Sequence, residues 1–146
     1  MIKVTKSFSF CYGHRLRKQG GRCVNLHGHN ARVDVTLKAD NGKIPVLSGM
    51  VADFGLMKSK IGGWLDANWD HAMIVAHGDH ALRALLNKLK DQRVYVLLQE
   101  PTAENMADCL FSDVLPVLLK NHLYKVSVDE VRFFETETSC AICSIH

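Results

Sequence analysis

No hydrophobic stretch in this 146-residue sequence approaches the roughly 20 apolar residues that a helix needs to cross a bilayer. The first residues alternate as a strand does and contain no apolar segment of the kind found in a signal peptide. Lysine and arginine form no long run, and the formal net charge is only +3, which argues against an extended nucleic-acid surface. These absences predict a cytoplasmic protein without a membrane or nucleic-acid partner.

The cysteines are too irregular for the disulfide framework of a small secreted protein. The five of them are an odd number, and we expect reduced thiols. Cys140 and Cys143 form a C-x-x-C pair, but the surrounding residues look like a strand, on which positions three apart face opposite ways. With 47% hydrophobic and 23% charged residues, the chain is predicted to form a single globular domain over 1–146.

The hydrophobic pattern predicts strands at both ends of the chain and helices between them. Apolar residues alternate over 2–12 and 29–38, and a short strand is expected over 94–98. Helices are predicted to begin after Asp53, after Asp79 and at Pro101-Thr102. The C-terminal strand residues are Tyr124, Val126, Val128, Val131, Phe133 and 138–145. Antiparallel strands with segregated helices predict an α+β domain.

Two local irregularities are also predicted from the sequence. The apolar phase changes between Val128 and Val131, so we expect a bulge or tight bend at Asp129-Glu130. Pro116 is expected to kink or shorten the last turn of the third helix, because proline cannot donate a backbone hydrogen bond.

Three histidines form the strongest chemical signal in the chain. His27 and His29 are two residues apart and in phase with the predicted strand over 29–38, so their side chains point to the same face if the extended segment begins at His27. His14 lies at the end of the preceding predicted strand and would complete a tripod. Three imidazoles with one open position are typical of a catalytic zinc ion, which suits nitrogen-rich tetrahedral sites. The sequence therefore predicts a Zn²⁺ site at His14, His27 and His29.

Cys23 lies close to these histidines and has more than one interpretation. Its thiol has a reference pKa of about 8.5, which a metal or nearby cations would lower to give a thiolate. Such a thiolate is a general base or a nucleophile. Alternatively, Cys23 is the fourth ligand of a closed zinc site or a small buried apolar side chain.

Asp70 and His71 are a second pair with catalytic potential. An aspartate beside a histidine can select its tautomer and tune its basicity, as in proton-transfer pairs. A polar helix end would explain the same two residues. The other histidines, which are His77, His80, His122 and His146, are assigned no role.

Glu135 is predicted to lie at the end of an apolar strand, in phase with Val131 and Phe133. A carboxylate placed there can accept two parallel N–H bonds from the amidine-like edge of a ligand. Glu137 points the same way by parity and is an alternative for this role. Thr102 and Glu104 are explained equally by a helix cap and a first-turn charge.

Together these motifs resemble a known family. They are Phe8-Ser9-Phe10-Cys11-Tyr12-Gly13-His14-Arg15-Leu16, Cys23-x3-His27-Gly28-His29, Asp53-Phe54, Asp70-His71, Pro101-Thr102-Ala103-Glu104-Asn105 and Glu135-Thr136. In this order they resemble the 6-pyruvoyl-tetrahydropterin synthase family, which includes the bacterial 6-carboxy-tetrahydropterin synthases of queuosine biosynthesis. The resemblance implies a tunnelling fold, a four-stranded antiparallel sheet with helices on one face. It also implies a homo-oligomer, commonly a hexamer of two trimers, with active sites between subunits.

The resemblance also implies roles for individual residues. His14, His27 and His29 would bind zinc, and Cys23 would be the catalytic base. Asp70 and His71 would take part in proton transfer. Glu135 would anchor the 2-amino-pyrimidine edge of a pterin, with Thr102 and Glu104 near its ring.

The three-residue gap between Cys23 and His27 resembles the carboxy-forming members of the family. It implies conversion of 7,8-dihydroneopterin triphosphate to 6-carboxy-tetrahydropterin, acetaldehyde and triphosphate, with the basic residues Arg15 to Arg22 as candidates for the triphosphate. A pyruvoyl-forming or related pterin lyase is one alternative. A non-catalytic, zinc-stabilised pterin-binding protein is the other. Cys11, Gly13 and the length of segment 74–98 differ from the usual family pattern.

Overall fold

The structure, a computed structural model, describes residues 1–44, 48–122 and 125–145, and in these residues six strands form one sheet. The strands are β1 (Lys3–His14), β2 (His27–Ala39), β3 (Ala72–Ala76), β4 (Val94–Leu97), β5 (Val126–Thr136) and β6 (Ser139–Ser144). Their order in the sheet is β4-β3-β1-β2-β5-β6. The α+β class is confirmed, and the long N-terminal strands lie where alternation predicts them.

The predicted four-stranded antiparallel sheet is wrong, because the sheet is six-stranded and mixed. β1, β2, β5 and β6 pair antiparallel, but β3 runs parallel to β1, and β4 runs parallel to β3. Strand β4 lies within the predicted 94–98 segment. Strand β3 was not predicted, since its short apolar run has no alternation that distinguishes a buried strand from part of a helix.

The helices lie between the strands and begin at the predicted caps. They are α1 (Phe54–Met57), a π-helical segment (Lys58–Gly62), α2 (Gly63–Asn68), α3 (His80–Leu86), α4 (Ala103–Asp108), a second π-helical segment (Cys109–Val114) and α5 (Leu115–Leu119). The side chains of Asp53, Asp79 and Thr102 accept hydrogen bonds from the first turns, which confirms all three predicted starts. None of the helices in the described ranges is long and apolar enough to cross a bilayer.

The main core lies between the inner face of the sheet and most of the helices. Inward residues at the centres of β2 and β5 are buried almost completely, as are the facing helix residues, and inward residues of β1 pack against them. They include Val33, Val35, Leu37, Val131, Phe133, Met57, Ile61, Leu65, Met106 and Leu110. Each buried side chain of this size stabilises the fold by about 1.5–3 kcal/mol. This packing holds the ends of β1, β2 and β5, which carry the predicted site, in one place.

Helix α3 departs from the predicted arrangement of helices on one face only. Ile74 of β3 belongs to the main core, whereas Val75 packs against Leu82 and Leu86 of α3. Consecutive strand residues face opposite sides of a sheet, so α3 covers the other face of β3. The parallel strands β3 and β4 are therefore covered on both faces at this edge.

Strand β5 has two irregularities in its register, and each one coincides with a carboxylate, Asp129 or Glu135. Thr36 of β2 lies opposite Glu130 and Leu37 opposite Val128, so Asp129 is an extra residue, which confirms the predicted bulge. Toward the end of β5 the register with β6 shifts again at Glu135. A bulge re-aims a side chain. Pro116 lies in the first turn of α5, which follows the second π-helical segment and continues to Leu119. Tyr124 and His146 lie outside the described residues.

Candidate active site

Three imidazoles converge where β1 ends and β2 begins. The antiparallel register pairs His14 with His27 and Tyr12 with His29, so all three rings lie at one end of the sheet. Their potential ligand nitrogens lie within 4.8 Å of one another. Gly28 allows this approach, because a Cβ atom there would lie 3.0 Å from the carbonyl oxygen of Tyr12. The structure thus brings together the three predicted metal ligands.

Hydrogen bonds orient two of these rings toward a shared point. The Nδ1 atom of His14 lies 2.7 Å from the carbonyl oxygen of Pro101, and that of His27 lies 2.7 Å from the carbonyl oxygen of Asn25. A carbonyl only accepts, so each Nδ1 carries the proton and each neutral ring presents a lone pair at Nε2. These two Nε2 atoms are 3.0 Å apart.

The donor set fits a zinc ion. Two lone pairs that face each other need a cation between them, and zinc–nitrogen bonds of about 2.0–2.1 Å bring tetrahedral ligands roughly 3.3 Å apart. The buried Nε2 atom of His29 has no hydrogen-bond partner among the described residues. Burial also lowers the pKa of His14 and of His29, although Glu135 opposes the shift in both cases. The rings of His14 and His29 are therefore neutral near pH 7, the form that binds metal.

Glu135 lies directly beside this cluster. Its Oε1 atom is 3.6 Å from Nε2 of His14 and 3.7 Å from Nε2 of His29, and it accepts a hydrogen bond of 3.3 Å from the hydroxyl of Tyr12. Burial first, and then the neighbouring Glu135 carboxylate, raises the pKa of Tyr12 well above its usual value. The Tyr12 hydroxyl therefore stays protonated and orients the carboxylate.

The three predicted substrate-binding residues line one cavity. This cavity, of about 440 Å³, is bordered by Glu135, Thr102 and Glu104, and Lys18 also lies at its wall. Its volume falls within the range of about 300–1,000 Å³ of small-molecule sites. Thr102 also caps helix α4, which confirms its interpretation as a helix cap. Glu137, the alternative to Glu135, is exposed in the turn between β5 and β6.

Cys23 lies on the loop that joins β1 to β2. It is partly exposed within a 3₁₀ turn, Arg22–Val24, and its carbonyl oxygen accepts a 2.7 Å hydrogen bond from the backbone N–H of Leu16. Among the described residues, the ligand cluster at this end of the sheet contains the three imidazoles alone.

Two ion pairs attach the same loop to the rest of the fold. Arg15 donates two hydrogen bonds of 2.7 Å to Asp79, and Arg17 donates to Glu100 and to the carbonyl of Gly78. The Arg15 guanidinium holds the pKa of the Asp79 carboxyl below its usual value. Both arginines are thus engaged by carboxylates, whereas the exposed Lys18 faces the cavity.

Asp70 and His71 form the predicted pair, at a different place from the imidazoles. Nδ1 of His71 lies 2.8 Å from Oδ2 of Asp70. Adjacent residues reach this geometry here because His71 has a left-handed backbone, with φ of 56°, and its N–H donates to the carbonyl of Cys11. Cys11 is exposed, in the opposite phase of β1 from buried Tyr12 and His14. The pair therefore contacts β1 on the side that faces away from the imidazoles.

A comparison with known proteins decides the family. A sequence model described as 6-pyruvoyl tetrahydropterin synthase matches residues 3–145. The chain belongs to this family. It is 38% identical over 136 residues to 6-carboxy-5,6,7,8-tetrahydropterin synthase of Rickettsia bellii, which covers 93% of this chain and 95% of that protein.

Solved structures agree on the fold. An uncharacterized protein of Wolinella succinogenes, WS1659, superposes with a TM-score of 0.83 at 24% identity, covering 99% of this chain and 98% of that one. The 6-pyruvoyl tetrahydropterin synthase of Caenorhabditis elegans superposes with a TM-score of 0.68 at 23% identity, covering 99% and 96%. At these sequence identities the two superpositions show that the fold is shared.

Several contacts at the candidate active site were not predicted from the sequence. Tyr12 shares the inward phase of Phe10 and His14, and this phase was the one signal that pointed to it. The partners Asp79 and Glu100 gave no signal, because their arginines lie more than sixty residues away in sequence. Only the folded chain brings these charges together.

Proposed function

We propose that this protein is a zinc-dependent 6-carboxy-5,6,7,8-tetrahydropterin synthase. Its substrate would be 7,8-dihydroneopterin triphosphate, which with water gives 6-carboxy-tetrahydropterin, acetaldehyde and triphosphate, a step toward queuosine. The observation that carries the proposal is the convergence of His14, His27 and His29 beside Glu135, which itself borders the cavity. The names of relatives at 32–38% identity, such as those of Rickettsia bellii and Haemophilus influenzae, support the same reaction.

In this proposal the three imidazoles hold the zinc ion. When bound, zinc supplies a Lewis acid that polarises the side-chain oxygens of the substrate and makes the neighbouring protons more acidic. Pro101 and Asn25 keep His14 and His27 in the tautomer that leaves Nε2 free. The Nε2 atom of His29, which has no hydrogen-bond partner among the residues described, supports a third ligand at the same point.

Glu135 would bind the pterin ring. A carboxylate accepts two parallel N–H bonds from the 2-amino-pyrimidine edge, and such charge-assisted pairs fix orientation as well as affinity. The hydroxyl of Tyr12 holds one oxygen of Glu135 in place. Thr102 and Glu104 line the same cavity and would contact the ring. Lys18, rather than the paired Arg15 and Arg17, is the better candidate for the triphosphate.

Cys23, Asp70 and His71 would move protons. Cys23 would act as the base on the substrate side chain, and Asp70 would orient His71 as its partner in proton transfer. The side chain of His71 is 74% exposed and faces away from the imidazoles of its own chain. We therefore infer that it reaches the site of a second copy, in a homo-oligomer that is a hexamer built from two trimers. The cytoplasmic location and the single domain over 1–146 remain predictions.

The alternatives differ in their products. A pyruvoyl-forming lyase would use the same residues but would retain the side-chain carbons, and the family description favours it as the second candidate. A non-catalytic zinc-stabilised protein would bind the pterin without turnover.

The deciding experiment is incubation of the purified, zinc-loaded protein with 7,8-dihydroneopterin triphosphate and identification of the products. We expect acetaldehyde and 6-carboxy-tetrahydropterin in equal amounts. Formation of 6-pyruvoyl-tetrahydropterin would favour the alternative lyase. Recovery of unchanged substrate from a zinc-loaded protein would reject both enzymatic functions.

A further inference from the structure

A second group of ligand atoms lies on the opposite side of β1 from the imidazoles. The thiol of Cys11, the carboxylate of Asp70 and the imidazole of His71 each offer one atom, and these three atoms lie within 4.8 Å of one another. The pterin reaction gives no role to Cys11. We propose that these three residues form a second divalent-cation site, which takes zinc or a similar borderline-soft ion.

The backbone holds this group together. The N–H of Cys11 donates a 3.0 Å hydrogen bond to Oδ1 of Asp70, and the N–H of His71 donates a 2.7 Å bond to the carbonyl of Cys11. The left-handed backbone of His71 turns its ring back onto Asp70. A non-glycine residue in this region costs about 1–3 kcal/mol and marks positions that the surrounding structure holds in place. The ligand atoms are therefore preorganised.

The types of ligand indicate the ion. A thiolate and an imidazole favour zinc over magnesium or calcium, which prefer sites of oxygen atoms alone. The thiol of Cys11 now donates to Oδ1 of Asn30 at 3.3 Å, so an amide oxygen is a fourth donor beside the group. When the ion binds, the thiol loses its proton to water and a sulfur–metal bond replaces the S–H bond. Cys11 and His71 are exposed in the single chain. In the proposed oligomer His71 faces the site of a second copy, and a site that admits the substrate also admits the ion.

The test measures metal stoichiometry and the type of ligand. The full-length protein is freed of metal, titrated with Co²⁺, and followed by thiolate-to-cobalt charge-transfer absorption. Wild type should bind two equivalents per chain and show the thiolate band. Cys11→Ser should bind one equivalent and lose the band, because it removes the only thiol of the second site.

Matched variants separate the two sites. Cys140→Ser removes another exposed thiol and should keep both equivalents and the band. Cys23→Ser should keep the band, which excludes the thiol of the β1–β2 loop as its source. His27→Ala should lose one equivalent but keep the band. One equivalent in wild type, or a band that survives Cys11→Ser, would overturn the proposal.

One consequence rests on the proposed function. An ion held by Asp70 and His71 would block their proton transfer, so zinc above one equivalent should inhibit turnover. In Cys11→Ser the zinc concentration that halves turnover should rise by roughly tenfold or more. Loss of an outer-shell partner already weakens metal binding by about this factor, and Cys11 would be a direct ligand. Equal inhibition of wild type and Cys11→Ser would reject this inhibitory role. The cobalt titration is independent of turnover, so it decides the site even if the proposed reaction fails.

Discussion

The hydroxyl of Tyr12 donates a hydrogen bond to Oε1 of Glu135 across 123 residues of sequence. Tyr12 lies two residues before the metal-ligand candidate His14, and Glu135 lies at a register shift near the end of β5. The bond joins the strand that carries the first imidazole to the carboxylate that borders the cavity. It therefore couples the predicted metal position to the predicted ring anchor.

Tyr12→Phe should weaken substrate binding through Glu135. The buried hydroxyl is lost while the ring packing stays, so we expect a loss of about 0.5–1.5 kcal/mol in binding and a similar loss in folding stability. The predicted change is mainly in KM, because Tyr12 positions Glu135 and does not touch the reacting atoms. Tyr95→Phe is the control, since its hydroxyl lies beside Cys109 instead. A fall in kcat with an unchanged KM would contradict this role.

Glu135→Gln should weaken pterin binding and leave the zinc content unchanged. In the neutral amide one carboxylate oxygen is replaced by an NH2 group that only donates, so the side chain cannot accept two parallel N–H bonds, and hydrogen bonds to a charged group contribute about 1.5–3 kcal/mol. Calorimetric titration with an unreactive pterin measures the effect. Glu137→Gln, a change of the same kind two residues away on an exposed turn, should bind normally. If the two variants have the same affinity, Glu135 is not the anchor.

His27→Ala should lose zinc. Removal of a direct ligand should lower the affinity by more than the roughly 10–100-fold that the loss of an outer-shell partner costs. Metal content after dialysis against a graded chelator gives the affinity. His77→Ala changes an exposed imidazole away from the cluster and should retain the ion. Retention of zinc by His27→Ala would exclude the three-imidazole site.

Cys23→Ala distinguishes a base from a ligand. If Cys23 is the base, the variant should keep zinc and lose about 10²–10⁴-fold in turnover. The readouts are metal content and kcat on the same preparation. If Cys23 is the fourth ligand, the variant should bind zinc more weakly and unfold more easily. Unchanged turnover would exclude the catalytic interpretation.

Asp79→Asn should reduce stability in a pH-dependent way. Arg15 lowers the folded-state pKa of Asp79, so the ion pair is fully stabilising above the unfolded-state pKa of about 3.9. Its contribution, about 1.5–3 kcal/mol at pH 7, should disappear as the pH falls through the folded-state value. Urea unfolding at several pH values measures it, with Asp113→Asn as an exposed control. A difference that grows on acidification would contradict this assignment.

Local pattern was sufficient for much of the fold. Alternation located β1 and β2, side-chain oxygen caps located three helix starts at Asp53, Asp79 and Thr102, and the phase change located the bulge at Asp129. Each of these signals depends on residues a few positions apart. Strand β3 was not predicted, because its identity as a strand depends on its parallel neighbours β1 and β4. Both lie outside the short segment that forms β3.

The same distinction applies to the site. The sequence by itself placed His27 and His29 in one phase, because the side chains of a strand alternate, and placed His14 just after the first predicted strand. Only the tertiary structure decided that Glu135 lies beside them and that Asp70 and His71 lie across β1 next to Cys11. It also decided that Arg15 and Arg17 are neutralised by carboxylates. The physical reason is separation along the chain. Periodicity orients a side chain within its own element, whereas contacts between distant elements depend on sheet order and packing.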